Sequence, residues 1–166
     1  MATNLELIKV VHAEYNVSTI DVNDVFSDQY DNYQILTRAV GDGNNKEIRM
    51  RLKTASGVDS SLSYQISNWQ LTSYSAPAEV KYNQSSIIHL TYDSGFGGSY
   101  VANIYKPYDA SSYTYYQFIG GGEYSSGQIF HKSDGFQKST QQVTGFQILP
   151  GSGNLYDTTI QVYGVR

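Results

Sequence analysis

The sequence predicts an all-β protein, specifically a jelly-roll-like antiparallel β-sandwich of roughly eight to ten short strands. Three observations support this prediction. Apolar and polar residues alternate with a period of two along most of the chain, and clusters of Gly, Pro, Asn and Asp separate the alternating segments. No segment combines helical periodicity with a capping residue and sufficient length. The 16 tyrosines among 166 residues fit the same fold class, because tyrosine is a good strand former.

The clearest single strand is 47–53. Ile48, Met50 and Leu52 occupy one phase of the alternation, whereas the other phase is entirely charged. Residues 32–40 precede this strand, and the turn-forming segment 41–46 joins the two. The sequence therefore predicts a β-hairpin over 32–54.

Further short strands are predicted along the rest of the chain, at 86–92, 99–105, 113–119, 127–131, 143–149 and 158–163. The glycine-rich segments 95–98, 120–122 and 150–154 are expected to interrupt them. Between Leu5 and Ile20 the β-branched residues favour a strand or a strand pair over a helix. Single helical turns are expected at 23–28 and 64–69. The buried side of the alternating strands predicts ten core residues: Ile35, Ile48, Met50, Leu52, Ile104, Phe118, Phe146, Ile148, Ile160 and Val162.

Composition limits the function classes. The net charge is −4 and only 16% of residues are charged, which argues against binding to nucleic acid or to an anionic membrane. The absence of cysteine excludes disulfides, zinc thiolate sites and thiol nucleophiles. No signal peptide and no membrane-spanning stretch is visible, so we expect a soluble protein made in the cytoplasm, with one domain over 1–166.

Motifs for catalysis or for cofactor binding are weak. His12, His89 and His131 lack the close spacing of metal ligands, and strand residues with satisfied ring nitrogens are the simpler interpretation. Most acids lie in turns, where Asp commonly turns the backbone, and nothing in the sequence pairs Glu79 with Glu123. Segment 42–47 has a faint similarity to a calcium-binding loop but lacks the alternating ligand pattern, and a hairpin turn explains it more simply. We expect no catalytic residue, no metal and no cofactor.

A tyrosine-rich segment, 105–118, carries the candidate contact residues. Tyrosine combines a large rigid surface with a polar tip, and therefore serves both strand packing and recognition. Because neighbouring residues of a strand point to opposite faces, Tyr113 and Tyr115 must share one face, while Tyr116 takes the other together with Phe118. One of the two sets should lie outside the core. The candidates for protein contact are Tyr105, Tyr108, Asp109, Tyr113, Tyr115 and Tyr116.

Four segments along nearly the whole chain, namely 24–35, 48–52, 143–154 and 159–166, together resemble a group of small virion proteins of marine and cyanobacterial tailed phages. These motifs are structural rather than catalytic. The resemblance implies a β-sandwich accessory protein of the virion, most simply a capsid decoration (cement) protein that binds and stabilises the assembled shell. The alternative is a tail-fibre or receptor-binding part, or a carbohydrate-binding module. The expected partners are the major capsid protein or another virion protein and further copies of the chain, and the carbohydrate-binding alternative adds a host glycan.

Overall fold

The structure is a computed structural model that describes residues 4–42, 46–72, 78–93, 97–124 and 127–166. Within these ranges all regular elements are β-strands, and no helix long and apolar enough to cross a membrane is present. The strands are β1 (Leu5–Ala13), β2 (Ile20–Val22), β3 (Asn32–Gly41), β4 (Lys46–Thr54), β5 (Gly57–Val58), β6 (Tyr64–Thr72), β7 (Ala78–Gln84), β8 (Ile87–Asp93), β9 (Gly98–Tyr105), β10 (Thr114–Tyr124), β11 (Gly127–Gln137), β12 (Val143–Pro150) and β13 (Leu155–Val165).

The strands form two antiparallel sheets packed as a β-sandwich, as the alternation predicted. The front sheet has eight strands in the order β1-β13-β3-β9-β10-β11-β6-β7. The back sheet has five, in the order β2-β12-β4-β5, with β8 also paired to β4. The described strands outnumber the eight to ten expected, partly because short β2 and β5 and the unpredicted pair β6–β7 add to them. All six strands predicted between residues 86 and 163 are present.

The core lies between the two sheets, and all ten predicted core residues belong to it. Each of the ten is no more than 1% exposed. Phe26, from the segment between β2 and β3, adds an aromatic centre: its ring stacks on Phe146 at 5.9 Å and meets Tyr33 edge-on at 4.7 Å. Period-two alternation therefore identified the buried face of every strand to which it was applied.

The predicted hairpin over 32–54 is wrong, although both of its strands exist. β3 pairs with β13 and β9 in the front sheet, whereas β4 pairs with β12, β5 and β8 in the back sheet. The chain between them therefore crosses from one sheet to the other, and residues 43–45 of the predicted turn lie outside the described residues. Turn-forming composition marks where a strand ends, but it does not determine which sheet the next strand joins.

Two predicted helical turns are also wrong. Residues 64–69 begin β6, in which Tyr64, Ile66 and Asn68 alternate into the interior. Residues 23–28 have no helical turn, and the amides of Val25 and Phe26 instead donate to the Thr144 carbonyl at 3.0 and 3.1 Å. Burial of the apolar side chains in each segment overrides a weak local preference for a turn.

The glycine triplet 120–122 does not interrupt the sheet, contrary to expectation, and lies within β10. A Cβ atom at Gly120 would come within 2.5 Å of the Leu90 carbonyl oxygen and 2.7 Å of the Tyr100 Cβ. Gly120 is therefore required by close packing of β8 and β9 against β10 rather than by a turn. By contrast, segment 150–154 does form the predicted connection, because β12 ends at Pro150 and β13 begins at Leu155.

Buried tyrosine hydroxyls tie the structure together. The Tyr64 hydroxyl of β6 accepts a hydrogen bond from the Leu52 amide of β4 at 2.9 Å and donates to the Asp59 carbonyl at 2.9 Å. This pair of bonds links the front sheet to the back sheet. Burial raises the pKa of the Tyr64 hydroxyl strongly, so the phenol stays neutral and can donate.

The Asp59 side chain stabilises the same region of the sandwich through hydrogen bonds. Its carboxylate accepts hydrogen bonds from the Ser61 amide at 2.8 Å and the Ser63 hydroxyl at 2.9 Å, and a further one from the Gln137 side chain of β11. Partial burial alone would raise the pKa of Asp59, but these hydrogen bonds to Ser61, Ser63 and Gln137 lower it below its ordinary value.

The lowered pKa of Asp59 predicts a loss of stability in acid. Because the folded-state pKa lies below the unfolded value of about 3.9, the stabilisation is complete above that pH and disappears as pH falls through the folded pKa. Urea unfolding at pH 7 and pH 2.5 measures this loss. We expect a smaller loss in Asp59→Asn than in the parent, since Asn cannot take up the proton. An equal loss in both proteins would show that Asp59 does not contribute.

Candidate functional site

The outer face of the front sheet carries the exposed hydrophobic surface. Tyr15 and Leu62 apart, every large hydrophobic residue that is exposed in the described part of the chain lies on a front-sheet strand or, for Tyr113, directly before one. These residues are Leu5, Leu7, Val10, Trp69, Leu71, Val80, Tyr82, Val101, Tyr113, Tyr115, Ile119 and Phe130. A concentration of apolar side chains on one face is typical of a surface that binds a partner or a ligand.

Four aromatic residues gather at one end of this face and are named here the aromatic corner: Tyr105, Tyr113, Tyr115 and Phe136. The Tyr113 and Phe136 rings stack with centroids 5.6 Å apart and planes 6° apart, and Tyr115 meets Phe136 at 5.6 Å and 45°. Tyr105 is the cross-strand partner of Tyr115, and its hydroxyl donates to Gln117 Oε1 at 2.9 Å. Mutual stacking holds these rings in place before any partner arrives.

The prediction that one face of this strand lies outside the core is confirmed. Tyr113 and Tyr115 are 39% and 51% exposed, whereas Tyr116 is 1% exposed. Tyr116 packs against Phe118 with ring centroids 5.4 Å apart, and its hydroxyl donates to the Gln65 carbonyl at 2.8 Å. Tyr116 is therefore a core residue, and its inclusion among the contact candidates is corrected: a partner cannot reach it.

Tyr108 and Asp109 lie on the half-buried loop between β9 and β10. Asp109 accepts hydrogen bonds from the Ser111 amide at 2.8 Å and from the Ser111 and Ser112 hydroxyls at 2.6 and 3.1 Å. These bonds hold the pKa of Asp109 below its ordinary value. The carboxylate is thus engaged within its own loop.

A row of amide side chains separates the aromatic corner from the rest of the outer face. Gln34, Asn103 and Gln117 are cross-strand neighbours on β3, β9 and β10. Gln34 Nε2 donates to Asn103 Oδ1 at 3.3 Å. This amide row marks the boundary between two regions of different chemistry on one sheet.

Beyond the amide row, two adjoining depressions form a transverse groove that crosses the strands. The first has a volume of about 630 Å³ and the second about 870 Å³, and both are lined by Gly121 and Phe130. The groove runs from Thr159 and Gln161 of β13 to Leu71 of β6. Its dimensions lie in the range of ligand-binding clefts. A third, smaller depression of about 270 Å³ lies beside Trp69, between β6, β7 and β11.

The weak catalytic and metal candidates do not converge. Among the described residues no group of three or more His, Cys, Asp or Glu side chains is placed to hold a metal ion. His12 Nδ1 lies 2.8 Å from the Thr159 hydroxyl, His131 is buried, and the side chain of His89 lies outside the described residues. Within the calcium-like segment, the Asp42 carboxylate accepts from the Asn154 amide at 3.0 Å, and 43–45 lie outside the described residues.

Two of the acids discussed above, Asp21 and Glu79, are engaged in ion pairs. Lys53 Nζ of β4 lies 2.9 Å from the Asp21 carboxylate of β2, across the intervening strand β12 of the back sheet. Lys81 Nζ lies 3.2 Å from Glu79 on β7. Glu123 lines the groove, but Glu79 lies with the third depression.

Sequence reasoning missed Phe136, Phe130 and the groove. Phe136 lies in the half of β11 that extends beyond the predicted strand 127–131, and Phe130 reaches the groove only through the register of β11 against β10 and β6. Tyr105, Tyr113 and Tyr115 are brought together as expected. Tyr108 and Asp109 lie on the adjacent loop, and Tyr116 does not share their surface.

Comparisons with known proteins are limited to the fold. No protein-family model matches the chain, and a search of curated proteins gives no match.

Among solved structures, an exo-inulinase from Aspergillus awamori aligns with 98% of this chain at 9% identity and a TM-score of 0.43, and the chain spans only 29% of that enzyme. The galectin LEC-6 from Caenorhabditis elegans aligns at 9% identity and a TM-score of 0.38, covering 95% of each chain. The CBM2 module of the evolved Dit of Lactobacillus casei BL23 phage J-1 aligns at 12% identity and a TM-score of 0.24, covering 89% of this chain and 69% of that one.

Proposed function

We propose that this protein is a structural component of a phage virion, a capsid decoration protein that binds the assembled shell without catalysing a reaction. The observation that carries the proposal is the exposed, stacked aromatic corner at the end of a sheet face that carries many exposed apolar side chains. The virion setting rests on the resemblance of four chain segments to phage virion proteins. The proposal of a protein partner rests on the residues of the aromatic corner.

The rings of the aromatic corner have the properties of interface anchors. Tyrosine is enriched among the residues that contribute most to binding, and charged residues are depleted at interface centres. Stacking between Tyr113 and Phe136 already restricts both rings, so less conformational entropy is lost when a partner binds. The loop beside them is anchored as well, since the Val143 amide donates to the Pro107 carbonyl at 2.8 Å.

The contact surface extends along the same end of the sheet. Tyr105 pairs with Asn32, Asn32 with Val165, and Val165 with Leu5, so Leu5 belongs to the same transverse row as Tyr115. From β1 to β6 this row spans about 29 Å, and two rows of side chains present on the order of 400 Å².

An area of this size is smaller than the ~800 Å² per partner of a typical stable heterodimer. It suits a contact that is repeated many times over a symmetric particle, where several weak contacts add up. A protein that binds only the assembled shell also stabilises that shell by mass action.

The composition of purified particles tests the virion setting. We expect the protein to be present at a fixed copy number relative to the major shell protein, measured by quantitative mass spectrometry after density-gradient purification. Its absence from particles would contradict the proposal.

A hydrolysis assay tests the proposal that the protein catalyses no reaction. We expect the purified protein to release no new sugar ends from a polysaccharide. Release that is lost when Glu79 or Glu123 is replaced would contradict the proposal.

Carbohydrate binding is the second candidate function. The transverse groove is the specific observation that favours it, because a concave surface lined by both apolar and hydroxyl groups matches a sugar better than it matches a flat protein surface.

A further inference from the structure

We propose that the transverse groove binds a neutral polysaccharide, seated over Gly121 and packed against Phe130. This inference rests on the second candidate function, carbohydrate binding, and specifies its site and its ligand class. It does not depend on the role of the aromatic corner, which lies beyond the amide row on the same face.

Gly121 forms the floor of the groove, and packing constrains this position less than it constrains Gly120. A Cβ atom at Gly121 would meet only the Ile129 carbonyl oxygen, at 3.1 Å, in contrast to the severe overlap at neighbouring Gly120. Glycine in a strand interior weakens the strand and often marks a place where a ligand approaches the backbone closely. The missing side chain joins the two depressions, both of which Gly121 lines.

A peptide cannot occupy this floor by adding a strand. β10 is already paired at Gly121 on both sides, with Ser99 of β9 and Phe130 of β11. The backbone hydrogen-bonding groups of the floor are therefore engaged within the sheet, and recognition has to come from side chains that project upward. The groove also runs across the strands, from β13 to β6, a distance of about 24 Å over six strands. That length suits a chain of several sugar units.

The lining matches both surfaces of a sugar ring. Val101, Ile119 and Phe130 provide apolar contact for the carbon–hydrogen faces of the ring. Hydroxyl and amide groups that can reach the ring hydroxyls stand beside them: Ser99, Thr159 and Gln161. Phe130 is held in place by an edge-on contact with Trp69, with ring centroids 6.1 Å apart.

The charges of the groove favour a neutral ligand. Arg38 Nη1 lies 2.7 Å from the Asp157 carboxylate, so the guanidinium is neutralised by its neighbour. The second depression is lined by an acidic residue, Glu123. A polyanion would meet no concentrated positive charge here, and a polycation would meet no concentrated negative charge.

Affinity electrophoresis through gels containing a soluble polysaccharide tests the inference. The neutral probes are a galactan, a mannan, a β-glucan and dextran, and polygalacturonate is the anionic comparison. We expect at least one neutral polysaccharide to retard the parent protein. Gly121→Leu fills the floor of the groove, and Phe130→Ala removes the ring against which the polysaccharide packs. Each change should therefore weaken binding by about tenfold or more. Tyr82→Ala is the matched control and should bind as the parent does, because Tyr82 is 66% exposed on β7 of the same sheet and lies outside both the groove and the aromatic corner.

Thermal unfolding by circular dichroism accompanies each variant, and if Gly121→Leu fails to fold then Phe130→Ala decides. Lost retardation in either folded groove variant supports the site. No retardation by any neutral polysaccharide, retardation by polygalacturonate alone, or parental binding by both groove variants overturns it. Normal binding by Tyr115→Ala combined with its loss from the particle would separate this site from the proposed virion contact.

Discussion

Replacement of Leu52 by Ala is expected to lower the free energy of unfolding by about 2–5 kcal/mol. Leu52 is fully buried on β4, and its cross-strand partner is Phe146 of β12. Its amide also donates to the Tyr64 hydroxyl, so the backbone at this position is held to the front sheet. Because that tie limits local collapse, a cavity should remain where the side chain is removed. Urea or thermal unfolding measures the change.

Leu62→Ala is the matched control for this prediction. Leu62 is 68% exposed in the segment before β6, so the same chemical change should alter stability by no more than about 0.5 kcal/mol. If the two variants unfold at the same denaturant concentration, Leu52 does not lie in the core that the structure describes.

The second large effect distinguishes the buried Tyr116 from the exposed Tyr113 and Tyr115. Tyr116→Ala should cost about 3–5 kcal/mol of stability, because it removes a buried ring and leaves the Gln65 carbonyl without its phenol donor. The double variant Tyr113→Ala/Tyr115→Ala should fold normally. It should bind particles lacking the protein at least about tenfold more weakly, measured by co-sedimentation.

Tyr15→Ala is the control for the double variant. Tyr15 is 79% exposed and lies between β1 and β2, away from the aromatic corner. Its truncation should leave both folding and particle binding unchanged. If the Tyr113/Tyr115 double variant folds and binds as well as Tyr15→Ala does, the contact surface lies elsewhere.

Period-two alternation was sufficient to predict the sandwich and its buried residues. In 47–53, three apolar residues alternate with four charged ones, and burying the charged phase would be far costlier than exposing it. A shift by one residue would reverse every side chain, so the facing of such a strand is strongly determined. The same rule correctly separated Tyr116 from Tyr113 and Tyr115.

Strand pairing was less predictable, because it depends on contacts between distant parts of the chain. β3 lies next to β13 and β9 rather than next to β4, although only residues 42–45 separate β3 from β4 in sequence. Likewise, glycine is usually a signal for a turn, but in β10 the packing of Leu90 and Tyr100 leaves no room for a side chain at Gly120. Tertiary packing overrode local preference in both places.

The candidate site was predicted only in part, because some of its residues are brought together by contacts between distant parts of the chain. Tyr105, Tyr113 and Tyr115 lie close together in sequence, so local alternation could bring them together. Phe136 joins them only because it is the cross-strand partner of Tyr115 in β11, and no local pattern indicates that register. The groove combines β13, β3, β9, β10, β11 and β6, which come together only in the complete front sheet.

A cryo-electron microscopy reconstruction of the intact particle tests the central claim most directly. The account predicts density for this β-sandwich at symmetry-related positions on the shell, with the aromatic corner of each copy against a neighbouring virion protein or a neighbouring copy. Copies on the particle whose aromatic corner faces solvent, while another surface makes the contact, would contradict it.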